Sequence, residues 1–206
     1  MDRRTTIKWM FAAAIALEAR QGGAVAAAGQ PHGAKPYGTD PNLLDSYAPG
    51  TLWPLTLSAA ERRLATRLCD TIIPADATSP SASGVGVVDF LDEWISAPYP
   101  LQRDDRKLLL DGFRWLNKEA GRRFSSKFEQ LKVEHLHGIC DDIAYEARAK
   151  PPFARAARFF ARYLDLTAGA YYTTPAGRQD LKYIGNTPSA SFDGPPIEVL
   201  KQAGLA

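Results

Sequence analysis

From residue 58 to residue 172 the apolar positions recur every three or four residues, and prolines and glycines break the pattern into blocks. Ser58-Ala59-Ala60-Glu61 reads as a capping box, in which serine and glutamate satisfy each other's first-turn amides. Leu64, Leu68 and Ile72 continue as an apolar stripe that Pro74 stops after Ile73. Pro74 to Gly84 is a turn-rich loop. The spacing of Val88, Leu91 and Ile95 predicts a second helix over Val85 to Ile95, broken by Ala97-Pro98-Tyr99-Pro100. A third helix is expected from Gln102 to Phe124 through Leu109, Phe113, Leu116 and Ala120. After the link from Ser126 to Leu131, residues 132–148 form a fourth through Leu136, Cys140, Ile143 and Ala147. Pro151-Pro152 introduces the fifth, Phe153 to Tyr172, the most apolar segment of the chain. Arg155, Arg158, Arg162 and Asp165 interrupt it, so it reads as a central core helix and not a membrane span. No segment alternates with the period of a strand. The expected fold is all-α, a single domain of about five amphipathic helices with an extended N-terminal arm and a C-terminal tail.

The flanks differ from this body. Met1-Asp2-Arg3-Arg4-Thr5-Thr6-Ile7-Lys8 precedes a modest apolar run from Trp9 to Leu17 and then small residues up to Ala28. Basic, apolar and small regions in that order form an export signal. Arg3 and Arg4 with Ile7 and Lys8 resemble the twin-arginine pattern, with Thr6 in the usual aromatic slot. The run falls short of the about 20 apolar residues that span a bilayer. The chain therefore divides into a signal peptide over 1–28, an extended arm over 29–57, a helical domain over 58–186 and a tail over 187–206. The localisation expected is periplasmic, reached by a pathway that carries proteins already folded.

Composition narrows the function. Of 206 residues, 45% are hydrophobic and 23% charged, ordinary values for a globular protein. The net charge of +2 equals the surplus of Arg3, Arg4, Lys8 and Arg20 over Asp2 and Glu18, so the body beyond residue 28 is neutral. A neutral body lacks the concentrated basic face that nucleic-acid binding needs. Cys69 and Cys140 allow two readings. A bridge between them would close about 70 residues and stabilise by about 4 kcal/mol; otherwise they are two separate buried thiols.

The chain is sparse in motifs that carry chemistry. It has no Gly-x-Gly-x-x-Gly turn and no Cys-x-x-Cys pair. His135 and His137 sit two apart on a helix, hence on different faces, and His32 lies in the arm. Asp104-Asp105 and Asp141-Asp142 diverge as adjacent residues must, whereas Asp89 and Asp92 share a face; all read as surface charges or caps. Arg155, Arg158 and Arg162 form a basic row, by default solvated, that an acidic partner surface would suit. Tyr171-Tyr172-Thr173-Thr174 ends the core helix and suits packing or partner contact better than catalysis.

The stretch Asp70-Thr71-Ile72-Ile73-Pro74-Ala75-Asp76-Ala77-Thr78-Ser79-Pro80 is followed by Gly84-Val85 and Val87-Val88-Asp89-Phe90-Leu91-Asp92. With Gly112-Phe113-Arg114-Trp115-Leu116 and Phe159-Phe160 through Gly169-Ala170-Tyr171-Tyr172-Thr173, it resembles the gluconate 2-dehydrogenase subunit 3 family from about Leu57 to Asn186. The resemblance implies a small subunit that has no catalytic residues and no cofactor. Its partner would be a larger FAD-dependent dehydrogenase of the glucose–methanol–choline (GMC) type, often joined by a multihaem cytochrome c. The small subunit carries the export signal for that partner, stabilises it, and meets the membrane only through the complex. Expected interface residues are Pro74, Asp76, Ser79 and Pro80 in the loop, with Tyr171, Tyr172 and Tyr183. The rival readings are a stand-alone periplasmic oxidoreductase and an assembly factor that leaves after maturation.

Overall fold

The computed structural model describes residues 48–183 and 194–205. The export-signal residues Arg3, Arg4, Ile7 and Lys8, His32 and most of the arm lie outside them. The described residues contain seven α-helices: α1 Ala59–Ile72, α2 Val87–Ser96, α3 Pro100–Phe124, α4 Val133–Ile143, α5 Ala154–Tyr172, α6 Pro175–Asp180 and α7 Ile197–Gln202. No strand occurs among the described residues, so the protein is all-α. Helix α5 packs against α1, α2, α3 and α4 as well as α6, which makes it the hub of one core. Phe159, Phe160, Tyr163 and Leu164 of α5 are buried there with Leu64, Leu68 and Ile72 of α1, Leu91 and Ile95 of α2, Phe113 and Leu116 of α3, and Ile139 and Ile143 of α4.

Helix ends follow local chemistry. The capping box is formed: Ser58 N donates to Glu61 Oε2 at 2.9 Å and Glu61 N to Ser58 Oγ at 3.3 Å. Helix α2 starts two residues later than the pattern predicted, because a 3-10 turn over Ser83–Val85 ends at Gly86, whose φ of 84° is left-handed. Pro100 does not break a helix but opens one, at the first turn of α3, where its missing N–H costs nothing. Helix α4 ends at Ile143 and not at 148. The next expected apolar contact, Ala147, is exposed, and the chain leaves through extended Tyr145 into a 3-10 turn over Glu146–Arg148. Beyond Thr173, where the pattern predicted no further helix, α6 follows. Thr174 caps it by accepting from Gly177 N at 3.0 Å, and Pro175 fills its first turn.

The arm is not a free linker where it is described. Trp53 and Leu57 are buried, and residues 50–57 are fastened to α2. Asp92 Oδ1 accepts from Thr56 N at 3.0 Å and Leu57 N at 2.9 Å, while Arg62 Nη1 donates to Oδ2 at 2.8 Å. Glu93 holds Gly50 N through Oε2 at 2.9 Å and Trp53 Nε1 through its carbonyl at 3.1 Å. Asp92 is 0% exposed, so the expected surface charge is a buried anchor. Asp89 shares its face as predicted and meets the same Arg62 guanidinium.

The cysteine bridge is not formed; Cys69 and Cys140 are both free and buried. Tyr163 donates its hydroxyl hydrogen to Ala65 O at 2.8 Å, which leaves Cys69 Sγ to donate to Tyr163 Oη at 3.0 Å. Burial pushes the Cys69 thiol up to about 12 and raises Cys140 as well, so both are small uncharged core groups.

On the other side of α3, Glu119 is buried and accepts from Arg122 Nε at 2.9 Å and Arg123 Nε at 2.6 Å, while Arg123 Nη2 reaches Asp142 of α4 at 2.7 Å. Its bonds to Arg122 lead the causes that hold the carboxyl at about 2 against an ordinary 4.5. A folded value below the unfolded one means stability that is complete above pH 4.5 and lost as pH falls toward 2. Solvent around exposed Arg122 weakens the effect to about 2 kcal/mol. Thermal melts across that window should show this slope in the wild type and a flatter one in Glu119→Gln; parallel slopes would refute it.

Candidate partner-docking surface

The Pro-rich loop is a rigid knuckle between α1 and α2. Asp76 Oδ1 accepts from Thr78 N at 2.8 Å and Ser79 N at 2.9 Å, an Asx turn that Asp76 N closes on Ser79 O at 3.0 Å. Ala82 N donates to Ile73 O at 3.0 Å and ties the loop's ends together. Asp70 then fixes the far side, accepting from Ser83 N at 2.9 Å and Ser83 Oγ at 2.7 Å.

Two further contacts clamp this loop to the end of α5 and to α6. Tyr171 Oη donates to Pro80 O at 2.9 Å, and Ser79 Oγ donates to Asp180 Oδ1 at 2.9 Å. The turn from α5 into α6 is so close that a Cβ on Gly177 would lie 2.1 Å from Tyr171 O, which requires glycine there. The structure therefore brings Asp76, Ser79, Pro80 and Tyr171 to one end of the bundle, with Tyr172 packed edge-on against Tyr171 at 5.1 Å.

Their roles divide. Ser79 and Tyr171 are buried and spent on the clamp, so neither presents a side chain outward. Ala75, Asp76, Ala77, Thr78 and Pro80 form the exposed crest, and Pro74 is half-buried. Leu181 and Tyr183, 56% and 57% exposed, follow Asp180 directly and add apolar surface beside the clamp. Of the expected interface residues, Asp76, Pro80 and Tyr183 are exposed, and Pro74 and Tyr172 are half-buried.

In the basic row on α5, Arg155 and Arg158 are exposed as expected, whereas Arg162 turns inward. Arg162 donates through Nε and Nη2 to buried Asp105 at 2.9 and 2.7 Å, and it also pairs with Asp165. Trp94 Nε1 completes the Asp105 carboxylate at 2.8 Å, tying α2, α3 and α5 together. Bonding to Asp105 raises the guanidinium further above its usual range. Arg155 pairs with Asp111, and Arg158 reaches Glu146 at 3.7 Å. The Arg155 and Arg162 pairs form because residues 44 and 57 positions apart meet where α3 and α5 cross.

The histidines separate as their spacing required. His135 stacks on Phe124 with centroids 4.0 Å apart, whereas His137 lines a cleft of about 220 Å³ with Arg67, Asp70, Thr71, Pro74, Val133 and Leu136. Burial, with Arg67 adding to it, lowers the His137 imidazole below its ordinary range. Arg67 escaped notice in the sequence, since its position beside the Leu64–Leu68 stripe marks only a flank. Among the described residues no three potential metal ligands cluster, and no helix is long and apolar enough to cross a membrane.

The sequence model of the family described as gluconate 2-dehydrogenase subunit 3 matches residues 59–190, from the first turn of α1 past the clamp. No curated protein and no solved structure matches the chain. The match covers more than half of the chain and takes in the knuckle, the clamp and the α5 hub together: the chain belongs to the gluconate 2-dehydrogenase subunit 3 family.

Proposed function

We propose that this protein is a non-catalytic small subunit that binds and stabilises the flavin-bearing subunit of a sugar or polyol dehydrogenase and supplies its export signal. The observation that carries the reading is the family itself, which is named for a subunit of a dehydrogenase complex. The finer points, an FAD-dependent partner of the GMC type, a cytochrome c as third member, and periplasmic delivery by the twin-arginine route, are the parts of the proposal that experiment must supply.

The surface geometry suits such a role. A knuckle already held by its own hydrogen bonds loses little conformational freedom when a partner covers it, so more of the contact energy goes into affinity. Exposed Tyr183 and Leu181 beside it offer the aromatic and aliphatic anchors that interfaces favour.

Co-expression with the flavoprotein tests the reading. With the intact chain, dye-linked dehydrogenase activity should appear in the periplasmic fraction, and the two polypeptides should co-purify in fixed ratio. Arg3→Lys with Arg4→Lys should leave both in the cytoplasm. A flavoprotein exported and soluble to the same extent without this chain would refute the proposal. The purified chain oxidising a sugar unaided would favour an enzyme instead.

A further inference from the structure

Five arginines among the described residues are half-buried: Arg62, Arg67, Arg106, Arg123 and Arg162. Arg62, Arg123 and Arg162 each meet two carboxylates, and Arg106 is held by the carbonyls of Ile95, Ser96 and Ala97. Arg67 differs. It makes one bond, Nη2 to Leu131 O at 3.2 Å, and its Nε is buried with no acceptor. Among the described residues no carboxylate lies within ion-pair reach. A half-buried guanidinium left this way is unfavourable for the isolated chain, because an orphaned donor loses its water without replacement.

The surroundings say what is missing. Arg67 stands in the wall of the cleft between α1 and α4. The one carboxylate in the lining, Asp70, has an oxygen bonded to Ser83 N and the other to Ser83 Oγ, and so is committed to the knuckle. What remains is a cationic group flanked by His137 and Thr71, with apolar walls from Pro74, Leu136 and half-exposed Val133. A carboxylate on a short aliphatic stem matches that lining: methylenes against proline, valine and leucine, and the charge on the guanidinium. The cleft also borders Pro74, which directly precedes the crest, so a partner covering the knuckle would reach it.

We propose that this cleft receives a glutamate or aspartate side chain of the dehydrogenase subunit, whose carboxylate pairs with Arg67. The proposal rests on the small-subunit reading above and adds to it a position and a chemistry.

The test uses the full chain and the dehydrogenase subunit that co-purifies with it. Arg67→Ala should weaken the complex at least tenfold, and Arg67→Glu about a hundredfold or more, with Arg67→Lys in between. The free variants should melt within a few degrees of the wild type, since Arg67 carries no ion pair in the isolated fold. Added salt should weaken the wild-type complex more than the Arg67→Ala complex. Should Arg67→Glu fold poorly, Arg67→Met removes the charge at similar volume, and an acidic-to-arginine exchange on the partner should restore binding to Arg67→Glu.

Unchanged affinity and salt dependence in Arg67→Ala and Arg67→Met would overturn this inference while leaving the small-subunit reading intact. A wild-type chain that binds no dehydrogenase would overturn both. Acetate shifting the His137 resonances of the wild type, with complex affinity unmoved by Arg67→Ala, would make the cleft a free-anion pocket and also sink the proposal.

Discussion

Replacing Gly112 by alanine should destabilise the protein by about 3 kcal/mol or more, although alanine in a helix ordinarily gains up to about 1 kcal/mol over glycine. The reason is a single approach. Gly112 lies mid-helix in α3, and a Cβ there would fall 2.1 Å from Cγ and Cδ2 of Phe159, far inside van der Waals contact. Phe159 cannot swing away, because it is buried in a triad of rings, edge-on against Phe113 at 5.8 Å and tilted against Tyr163 at 5.8 Å. Either α3 and α5 move apart or the aromatic cluster repacks, and both disturb the hub of the core. Gly121 and Gly138 are the matched controls: both are helical and exposed, with nothing near a new Cβ, so alanine there should stabilise slightly. Denaturant melts of the three variants decide the matter. If Gly112→Ala is as stable as Gly121→Ala, the close approach is not a constraint. Shortening the ring with Phe159→Leu should recover part of the loss in the double variant, since the two changes act on one contact.

The second large effect is expected at Asp92. Asp92→Ala removes the acceptor for two backbone amides, Thr56 N and Leu57 N, and one of the two carboxylates of Arg62, all around a side chain with no solvent exposure. Breaking a buried charged cluster by deleting one member costs about 3 to 5 kcal/mol. For a domain of this size that lowers the melting temperature by about 10 °C. A second readout separates anchoring from general damage: residues 48–57 should become open to limited proteolysis in the variant at temperatures where the helices stay folded. Asp89→Ala, on the same guanidinium but half-exposed, should cost far less. Resistance of the segment to protease in Asp92→Ala would refute the anchor.

Most of the helical plan was legible because the stripes were regular. Leu64, Leu68 and Ile72, or Leu109, Phe113 and Leu116, recur at the helical period and are buried as it requires. Mistakes arose where one residue has two uses. Pro100 both ends and begins helices, and Ala147 continues a stripe in the sequence without having a core to face. Helix α6 was signalled by Thr174-Pro175, a cap followed by a first-turn proline, but six residues are too few to show a period. The site was legible in part. The knuckle residues lie together at one end of the bundle, yet Ser79 and Tyr171 turn inward, because their partners Asp180 and Pro80 lie 101 and 91 positions away. Long-range pairing of that kind leaves no local trace. For the same reason Arg162 looked solvated like its exposed neighbours Arg155 and Arg158, and Arg67 looked ordinary.

The fastening of residues 50–57 to α2 also sets how the protein answers a mechanical load. Tension on the chain ahead of residue 48 arrives first at the bonds from Gly50 and Trp53 to Glu93, then at those from Thr56 and Leu57 to Asp92, and only afterwards at the capping box of α1. The segment thus works as a strain relief, like the clamp on a cable. It must peel away bond by bond before any pull from the N-terminal side reaches the helical core.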